Sequence, residues 1–240
     1  MKNKTTDRDT LISAEENRAM FDRIAQKYDL ANRLISMGMD RAWRRKAIRA
    51  LAPQSAGCYL DIGTGTGDLV LEILAQAHGA QVDGIDPAEE MLKIARNKLP
   101  NPTASFFTAD ATHLPMKDHH YDGIVSGFCF RNIEHRERAL SEMFRVLKPD
   151  GTLVILEATY PANPLVRLGY RLYTPLVPLL GKLLGGGEAY KYLMDSIEDF
   201  PRPDSITKMF RTVGFENVQH QPLTFGTVAL FSGQKAPLYI

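Results

Sequence analysis

Eight residues of this chain combine glycines and acids in a pattern that is typical of a ligand-binding turn. The segment Asp-Ile-Gly-Thr-Gly-Thr-Gly-Asp occupies residues 61–68, directly after a short apolar run, and a further acid, Asp86, ends the next apolar run. Glycines let the backbone bend tightly and pass close to a ligand, where a Cβ would obstruct it. The predicted ligand contacts in this loop are Asp61, Gly63, Thr64, Gly65, Thr66 and Gly67.

The spacing of the glycines discriminates between two kinds of cofactor. The dinucleotide fingerprint G-x-G-x-x-G requires a third glycine where this chain has Asp68. A carboxylate there would repel a pyrophosphate, whereas S-adenosyl-L-methionine has no phosphate and carries an ammonium that acids and carbonyl groups can hold. The loop therefore predicts S-adenosyl-L-methionine as the cofactor. The alternatives are an ordinary glycine-rich turn, a nicotinamide-dependent oxidoreductase and a non-catalytic cofactor-binding protein.

Asp86 is the second predicted contact to the cofactor, together with the adjacent Pro87. A carboxylate at the end of a strand can accept hydrogen bonds from both ribose hydroxyls. Hydrogen bonds to a charged acceptor contribute about 1.5–3 kcal/mol each, so losing both should weaken binding at least tenfold. The alternative is a solvated acid in a loop.

Apolar strand patterns alternate with helical patterns from Cys58 onward, which predicts a parallel sheet covered by helices on both faces. The last two strands are close enough to form a hairpin, so the final strand should run antiparallel. Helical patterns follow Gly67, include Met91 to Leu99, and cover 139–147 and 205–213. The predicted strands are 58–62, 81–86, 104–109, 123–128, 152–157, 215–222 and 227–232.

Composition limits the class of protein and its partners. With 240 residues and 44% hydrophobic content the chain can bury a sizeable core, and a net charge of +1 gives no field that would attract nucleic acid. Cys58 and Cys129 fall in predicted buried strands, where they are read as packing residues in a reducing compartment. Residues 1–25 carry charges throughout and no apolar run, which predicts a cytoplasmic protein.

The chain is predicted to be a single domain of residues 1–240 with two additions to the alternating pattern. Residues 1–50 form an N-terminal helical cap, 57–160 the cofactor-binding core, 161–203 a helical insertion, and 204–240 a C-terminal helix and hairpin. The insertion is rich in leucine, but Arg167, Arg171 and Lys182 interrupt it, so it cannot span a bilayer as one apolar helix. We expect it to be either an apolar lid over a lipophilic ligand or a set of helices that completes the core.

Three segments resemble the ubiquinone and menaquinone biosynthesis C-methyltransferases, which belong to the class I S-adenosylmethionine-dependent methyltransferases. They are residues 21–44, with Tyr28-Asp29 and Asn32; residues 130–157, which begin Phe-Arg-Asn-Ile; and residues 190–201, which read YKYLMDSIEDFP. LTFGTVALFSGQK near the C-terminus adds to the likeness. The resemblance implies a Rossmann-like α/β fold of three layers with a seven-stranded, mostly parallel sheet. It implies a prenylated quinol as the methyl acceptor, with demethylmenaquinol first and a benzoquinol of ubiquinone synthesis second.

The resemblance also assigns roles to individual residues. Asp110-Ala111, after the third strand, would contact the adenine, and Gly127, at the end of the fourth strand, would offer backbone groups to the cofactor. Tyr28 would close over the cofactor, with an aromatic face suited to a sulfonium. A core tyrosine and a loop acid are the alternatives for Tyr28 and Asp110.

Arg131 and Asn132 are the predicted catalytic pair, together with Tyr28. A hydroquinone becomes a better carbon nucleophile when a hydroxyl is deprotonated, so a cation such as Arg131 can stabilise the phenolate while Asn132 holds a ring oxygen. An arginine that caps the sheet by pairing with an acid is the alternative. No cluster of metal-ligand residues is evident, so the chemistry is predicted to be independent of metal.

The chain departs from the usual family residues at Asp40, Ala158 and Phe231, where members have His, Ser and His. The departures leave the fold and the cofactor in place but open the identity of the quinone, and methylation of another lipophilic or phenolic acceptor is a third alternative. Contact with the inner face of a membrane and a homodimer are further expectations.

Overall fold

The fold is built on one sheet, in a computed structural model that describes residues 12–100, 102–178 and 187–237. The strands are β1 Cys58–Ile62, β2 Gln81–Asp86, β3 Ala104–Thr108, β4 Tyr121–Gly127, β5 Leu147–Ala158, β6 Phe215–Leu223 and β7 Val228–Lys235. They lie in the order β3-β2-β1-β4-β5-β7-β6, and the first five are parallel to one another. The last strand, β7, runs antiparallel to both β5 and β6, as predicted.

Helices cover both faces of the sheet and make three layers. The described helices are α1 Ala14–Ile35, α2 Asp40–Leu51, α3 Asp68–Gln76, α4 Glu89–Lys98, α5 Arg136–Val146, α6 Pro164–Tyr173, α7 Gly187–Asp199 and α8 Pro203–Val213. Successive strand residues enter opposite cores: Leu60 packs in the cluster with α5 and α8, whereas Tyr59 packs in the cluster with α2 and α3. Both faces are therefore buried, which explains why the central strands read as continuous apolar runs.

Five of the seven predicted strands have different boundaries in the structure, and two of the differences are explained by pairing or by backbone conformation. The strand predicted at 152–157 begins earlier, at Leu147, because Leu147 already pairs with Tyr121 before the register shifts. The strand predicted at 123–128 ends at Gly127, because Phe128 has a φ of +57° and cannot continue an extended chain. The prediction that Cys129 lies in a buried strand is wrong: this half-buried residue follows the strand and precedes a short 3₁₀ turn at Phe130–Asn132.

The N-terminal helix α1 is fixed at its start and along its length. Ser13 and Glu16 form a capping box, in which each side chain accepts a hydrogen bond from the other's backbone N–H. Farther along, Asp22 Oδ1 accepts a hydrogen bond of 3.0 Å from the Glu90 N–H in the first turn of α4. An α1 carboxylate therefore satisfies an N–H group that α4 leaves free at its start.

The insertion after β5 packs against α1. Asn163 caps α6 by accepting a hydrogen bond of 2.9 Å from the Leu165 N–H. Val177 and Tyr190 are buried together with Ala31 of α1. No described helix is long and apolar enough to cross a membrane.

Candidate functional site

The glycine loop joins β1 to α3 and contains two glycines that are required for different reasons. Gly63 has a φ of +68°, and a Cβ there would lie 2.2 Å from Cys129 Sγ, so this position is closed by packing. Gly65 has a φ of +54°, but the nearest atom to its added Cβ would be Tyr28 Cε1 at 3.9 Å. The loop is therefore open at Gly65, where a ligand can approach the backbone.

Asp61 is a buried acid with one oxygen left unpartnered. Its Oδ2 accepts a hydrogen bond of 2.7 Å from the Thr64 hydroxyl, whereas its Oδ1 has no hydrogen-bond partner among the described residues. Burial raises the pKa of Asp61 to about 7, and the Thr64 hydrogen bond opposes the shift. A buried carboxylate oxygen without a donor is costly, so a ligand ammonium fits this position.

The threonine hydroxyls of the loop are used inside the protein. The Thr64 hydroxyl donates to Asp61, and the Thr66 hydroxyl donates to Asp29 Oδ1 at 2.6 Å. Both threonines are buried, so they can serve a cofactor only through their backbones. Asp68, the residue that breaks the dinucleotide pattern, pairs with Lys98 and lies 3.5 Å from Arg44 Nη2.

Asp86 lies at the end of β2, against the glycine loop. Its Oδ2 accepts a hydrogen bond of 2.9 Å from the Gly65 N–H, and its Oδ1 accepts one of 2.9 Å from the Ala88 N–H. Burial raises the pKa of Asp86 to about 6, and these two hydrogen bonds oppose the shift. Each oxygen keeps a second lone pair, so the carboxylate can still accept hydroxyl donors. Pro87 beside it is exposed.

The remaining predicted cofactor residues lie at the same edge of the sheet. Asp110 is exposed after β3, where its Oδ1 accepts a hydrogen bond of 2.7 Å from the Thr112 N–H. Ala111 is buried in the core. Gly127 ends β4, and a Cβ there would lie 2.7 Å from Leu69 Cδ1. The carboxyl ends of β1 to β4 therefore bring all of these positions to one edge, as in other open α/β sheets that bind ligands there.

A cavity of about 470 Å³ lies between α1, α2, α6 and α7. Tyr28 belongs to its wall and also lies over Gly65, so the cavity and the glycine loop meet at this residue. Polar groups on the wall include Asn32, Asp40 and Arg131. Most of the lining is apolar, including Met20, Ile24, Ile35, Trp43, Val166 and Leu193.

Arg131 lies on the cavity wall and is also held in a buried ion pair. Its Nη1 donates to Glu157 Oε1 and to the Phe128 carbonyl, each at 2.7 Å, and its backbone N–H donates to Glu157 Oε2 at 3.0 Å. Its Nε donates to the Ser196 hydroxyl at 3.3 Å. The alternative for Arg131, an ion pair with an acid, is therefore present in the structure. Among the described residues, none of these contacts uses Nη2.

Asn132 is not part of the cavity wall. Its Oδ1 accepts a hydrogen bond of 3.3 Å from the Tyr192 hydroxyl, which in turn accepts one of 3.2 Å from Asn17 Nδ2. Of the three hydrogen-bonded side chains, Tyr192 is the one that lines the cavity. In this arrangement Asn132 orients Tyr192 and reaches a ligand only through it.

Phe128 has a backbone conformation that is rare for a bulky residue, and this conformation turns the chain toward Arg131. Its φ is +57°, and its N–H donates to the Leu156 carbonyl at 2.7 Å. The ring packs against Trp43, with centroids 6.1 Å apart, and under the Arg44 guanidinium at 5.8 Å. The strained turn therefore stands at the junction of β4 and the cavity.

Two of the three departures from the family pattern lie on the cavity wall. Asp40 is buried, pairs with Arg44 Nη1 at 2.6 Å and accepts a hydrogen bond of 3.1 Å from Ser36. Ala158 also lines the cavity. Phe231 is instead buried in the core, stacked on His220 with ring centroids 5.1 Å apart. Only the first two can therefore touch a ligand in the cavity.

Sequence reasoning missed several residues that shape the site. Glu157 is fully buried beneath Arg131, Tyr192 stands between Asn132 and the cavity, and Asp29 links α1 to the glycine loop. An acid that directly follows the apolar run of β5 was the available signal for Glu157, because charged residues are rarely buried unless they are paired. Tyr192 carried no such signal, since its role depends on how α7 packs.

Known proteins match the chain over almost its whole length. The profile of the ubiE/COQ5 methyltransferase family matches residues 10–235. A ubiquinone/menaquinone biosynthesis C-methyltransferase of Syntrophotalea carbinolica is 43% identical over 222 residues, which cover 91% of this chain and 94% of the relative. A demethylmenaquinone methyltransferase of Thermus thermophilus is 43% identical over 220 residues, which cover 90% and 100%.

Solved structures agree on the fold. An S-adenosylmethionine-dependent methyltransferase of Thermotoga maritima has a TM-score of 0.64 at 20% identity, covering 90% of this chain and 98% of that chain. This likeness confirms the three-layer methyltransferase fold with its antiparallel last strand. From the profile match and the two curated relatives, the chain belongs to the ubiE/COQ5 methyltransferase family.

Proposed function

We propose that the chain transfers a methyl group from S-adenosyl-L-methionine to a ring carbon of a prenylated quinol, with demethylmenaquinol as the leading acceptor. The observation that carries the proposal is the apolar cavity of about 470 Å³ that meets the glycine loop at Tyr28 and includes Arg131. A prenylated ring is an apolar ligand with few polar atoms, which such a cavity suits. The names of the two curated relatives support the same class of acceptor.

When bound, the cofactor supplies an electrophilic methyl group on a sulfonium. Asp61 offers its unpartnered Oδ1 to the cofactor's ammonium, and Asp86 offers lone pairs to the ribose hydroxyls. Gly65 leaves the backbone open to the ligand, and the Tyr28 ring lies over this position. These residues bind and orient, and methyl transfer needs little more than alignment of the acceptor carbon at about 3–3.5 Å.

The acceptor has to present a nucleophilic ring carbon. Transfer of a proton from a ring hydroxyl to water pushes electron density onto the ring, and a fixed positive charge nearby stabilises the phenolate. After methyl transfer, the ring carbon gives up its own proton to water and the ring becomes aromatic again. Arg131 supplies that charge from a position that its ion pair with Glu157 holds rigid. Its unused Nη2 is the group that we assign to the phenolate oxygen.

Two other acceptors remain as alternatives. A prenylated benzoquinol of ubiquinone synthesis is second, because one curated relative is named for both quinones. A different lipophilic or phenolic acceptor is third, and it is favoured by the Asp40–Arg44 pair and Ala158 on the cavity wall.

The test is an assay with purified protein, methyl-labelled S-adenosylmethionine and chemically reduced acceptors. We expect label to enter demethylmenaquinol faster than a prenylated methoxybenzoquinol. Transfer to the benzoquinol alone would select the second acceptor. Saturable cofactor binding without transfer to any prenylated quinol would leave a cofactor-binding protein, and binding of NADH instead would overturn the proposal.

Peripheral contact with a membrane is part of the proposal, because the acceptor dissolves there. Helix α6 is apolar on two faces: Val166, Tyr170 and Tyr173 line the cavity, whereas a row of leucines faces outward. These outer leucines are Leu165, Leu168 and Leu172 of α6 and Leu176 shortly after its end, which are 81%, 59%, 72% and 50% exposed. Exposed apolar rows of this kind mark surfaces that bind partners or membranes.

The rim of the cavity continues this apolar surface. Met37 and Phe225 line the cavity and are 72% and 85% exposed. The prenyl chain of several isoprene units exceeds a cavity of about 470 Å³, so most of it has to lie outside. A bilayer in contact with the outer leucines and this rim would hold the part of the prenyl chain that lies outside the cavity.

A further inference from the structure

The hydroxyl of Tyr170 is a buried polar group without a partner. Tyr170 belongs to α6 and to the cavity wall, and its hydroxyl oxygen is sealed from solvent with no hydrogen bond to any described residue. Buried polar atoms in folded proteins nearly always have partners, and an orphan costs the free energy of its lost hydration. This hydroxyl therefore needs a partner that residues 12–100, 102–178 and 187–237 do not supply.

Other polar groups of the same wall are satisfied within the protein. The Tyr173 hydroxyl, on the same helix, donates to the Ile35 carbonyl at 2.5 Å. The Tyr192 hydroxyl donates to Asn132, and Trp43 Nε1 donates to the Thr224 hydroxyl at 2.8 Å. Tyr170 thus shares the cavity wall with these residues but lacks the hydrogen-bond partner that each of them has.

Tyr170 and Arg131 both belong to the cavity wall. Burial raises the pKa of Tyr170, the negative charge of Glu198 raises it further, and the positive charge of Arg131 opposes the shift. Burial also raises the pKa of Tyr28 and Tyr192 on the same wall. The three tyrosines come from α1, α6 and α7, and all of them line the cavity together with Arg131. A prenylated quinol has polar atoms only on its ring, so a ring oxygen is the group that an unpartnered donor on this wall can bind.

We infer that the Tyr170 hydroxyl donates a hydrogen bond to a ring oxygen of the methyl acceptor, which makes it a substrate-binding residue on the insertion. The inference rests on the proposed function, because it assumes an oxygenated ring in the cavity. No residue of α6 is fully buried, and Tyr170 is half-buried on the cavity wall. The insertion then recognises the head group as well as covering the prenyl chain.

The chemistry suits a ring oxygen that becomes negative during the reaction. Because burial raises the pKa of Tyr170, its hydroxyl keeps its proton and remains a donor while the acceptor loses one. A donor that strengthens as charge develops stabilises the phenolate form of the ring. Arg131 and Tyr170 would then both bind the acceptor from the cavity wall.

The test uses the single tryptophan of the chain as a reporter of binding. Trp43 lines the cavity, so a ring bound there should quench its fluorescence. The probes are a naphthalene-1,4-diol with a short prenyl chain and the two naphthols that each lack one hydroxyl. We expect Tyr170→Phe to weaken binding of the diol about tenfold, as for one lost hydrogen bond, with cofactor affinity unchanged.

The pattern across the three probes identifies the bond. Tyr170→Phe should also weaken binding of the naphthol that keeps the recognised oxygen. It should leave binding of the other naphthol unchanged. An equal loss with all three probes, or none with the diol, would overturn the inference. If the wild-type protein fails to bind the diol at all, the proposed function has failed first.

Thermal unfolding separates a binding role from a structural role. Tyr170→Phe removes an unsatisfied hydroxyl and should keep or raise Tm, whereas Tyr173→Phe on the same helix loses its bond to Ile35 and should lower it. A lower Tm for Tyr170→Phe, by as much as for Tyr173→Phe, would indicate a structural hydroxyl and contradict the inference.

Discussion

Asp61 and Asp86 show how individual residues can be prepared for a ligand. Burial raises their pKa values to about 7 and about 6. Because each group binds protons more tightly folded than unfolded, the free energy of unfolding falls as pH rises from about 4 to 7. A cofactor that needs both carboxylates ionised would therefore compete with protons across the same range.

We predict that cofactor affinity rises at least tenfold between pH 5 and pH 7. The rise follows because Asp61 and Asp86 lose protons in this interval, while the cofactor's α-amino group stays charged. Calorimetry in buffers of different ionisation enthalpy should detect proton release on binding near pH 6. Asp61→Asn should flatten the upper part of the profile, and a pH-independent wild-type affinity would contradict the assignment.

Removal of Arg131 is predicted to lower the free energy of unfolding as well as the turnover. Arg131→Ala leaves Glu157 buried without its partner and should lower the free energy of unfolding by about 3–5 kcal/mol, measured by urea unfolding. The control is Arg131→Met combined with Glu157→Leu, which removes both charges and should recover most of the stability. Turnover should stay low in this double variant, and near wild-type turnover would show that Arg131 is structural only.

Cofactor loss is the predicted effect of changing Asp86. Asp86→Ala should raise the cofactor dissociation constant at least tenfold, measured by calorimetry, because two charged acceptors of ligand hydrogen bonds disappear. Circular dichroism should show a folded protein, since the Gly65 N–H lies at the open position of the loop, where water can replace the carboxylate. An unchanged dissociation constant would remove Asp86 from the site.

At the scale of elements, the glycine loop separates packing from ligand access. Gly63→Ala would place a methyl group 2.2 Å from Cys129 Sγ and should destabilise the fold. Gly65→Ala meets no atom within 3.9 Å and should mainly weaken cofactor binding, with a modest backbone cost from its positive φ. Comparing Tm and cofactor affinity in the two variants checks this division, which similar losses of Tm would contradict.

Helix α6 is predicted to hold the protein on membranes. Leu168→Asp with Leu172→Asp should abolish cosedimentation with lipid vesicles, because each buried leucine contributes about 1.5–3 kcal/mol. Leu71→Asp, an exposed leucine on α3, is the matched control and should bind vesicles like the wild type. Transfer to an acceptor with a short, water-soluble chain should be unaffected in the double variant. Full vesicle binding by that variant would refute this role.

Sequence predicted elements better than it predicted contacts. The bounds of β1 and β2 were predicted correctly because apolar runs end at Ile62 and Asp86, where the chain must turn. The end of β4 was missed because nothing in the residue type of Phe128 announces a φ of +57°, which packing against Trp43 and Leu156 imposes. Arg131 was found by resemblance, but its buried partner comes from a strand distant in sequence.

At the scale of the whole molecule, positive and negative charges nearly balance. The formal net charge is +1, so no long-range field draws the chain to an anionic bilayer. Vesicle binding through the outer leucines should therefore persist at high salt and depend little on the fraction of anionic lipid. Release from vesicles by salt would show that charged groups, and not α6, hold the protein there.

Helix α1 runs past both the glycine loop and the cavity, and this restricts how its length can change during evolution. Tyr28 lies over the glycine loop, and Asn32 and Ile35 follow on the cavity wall. From Tyr28 to Ile35 the helix rises about 10 Å, and each residue turns it by about 100°. In the proposed function, this helix therefore fixes the distance between a methyl donor at the glycine loop and a methyl acceptor in the cavity. Surface loops can vary in length during evolution, but one residue gained or lost between Tyr28 and Ile35 would misalign the two sites.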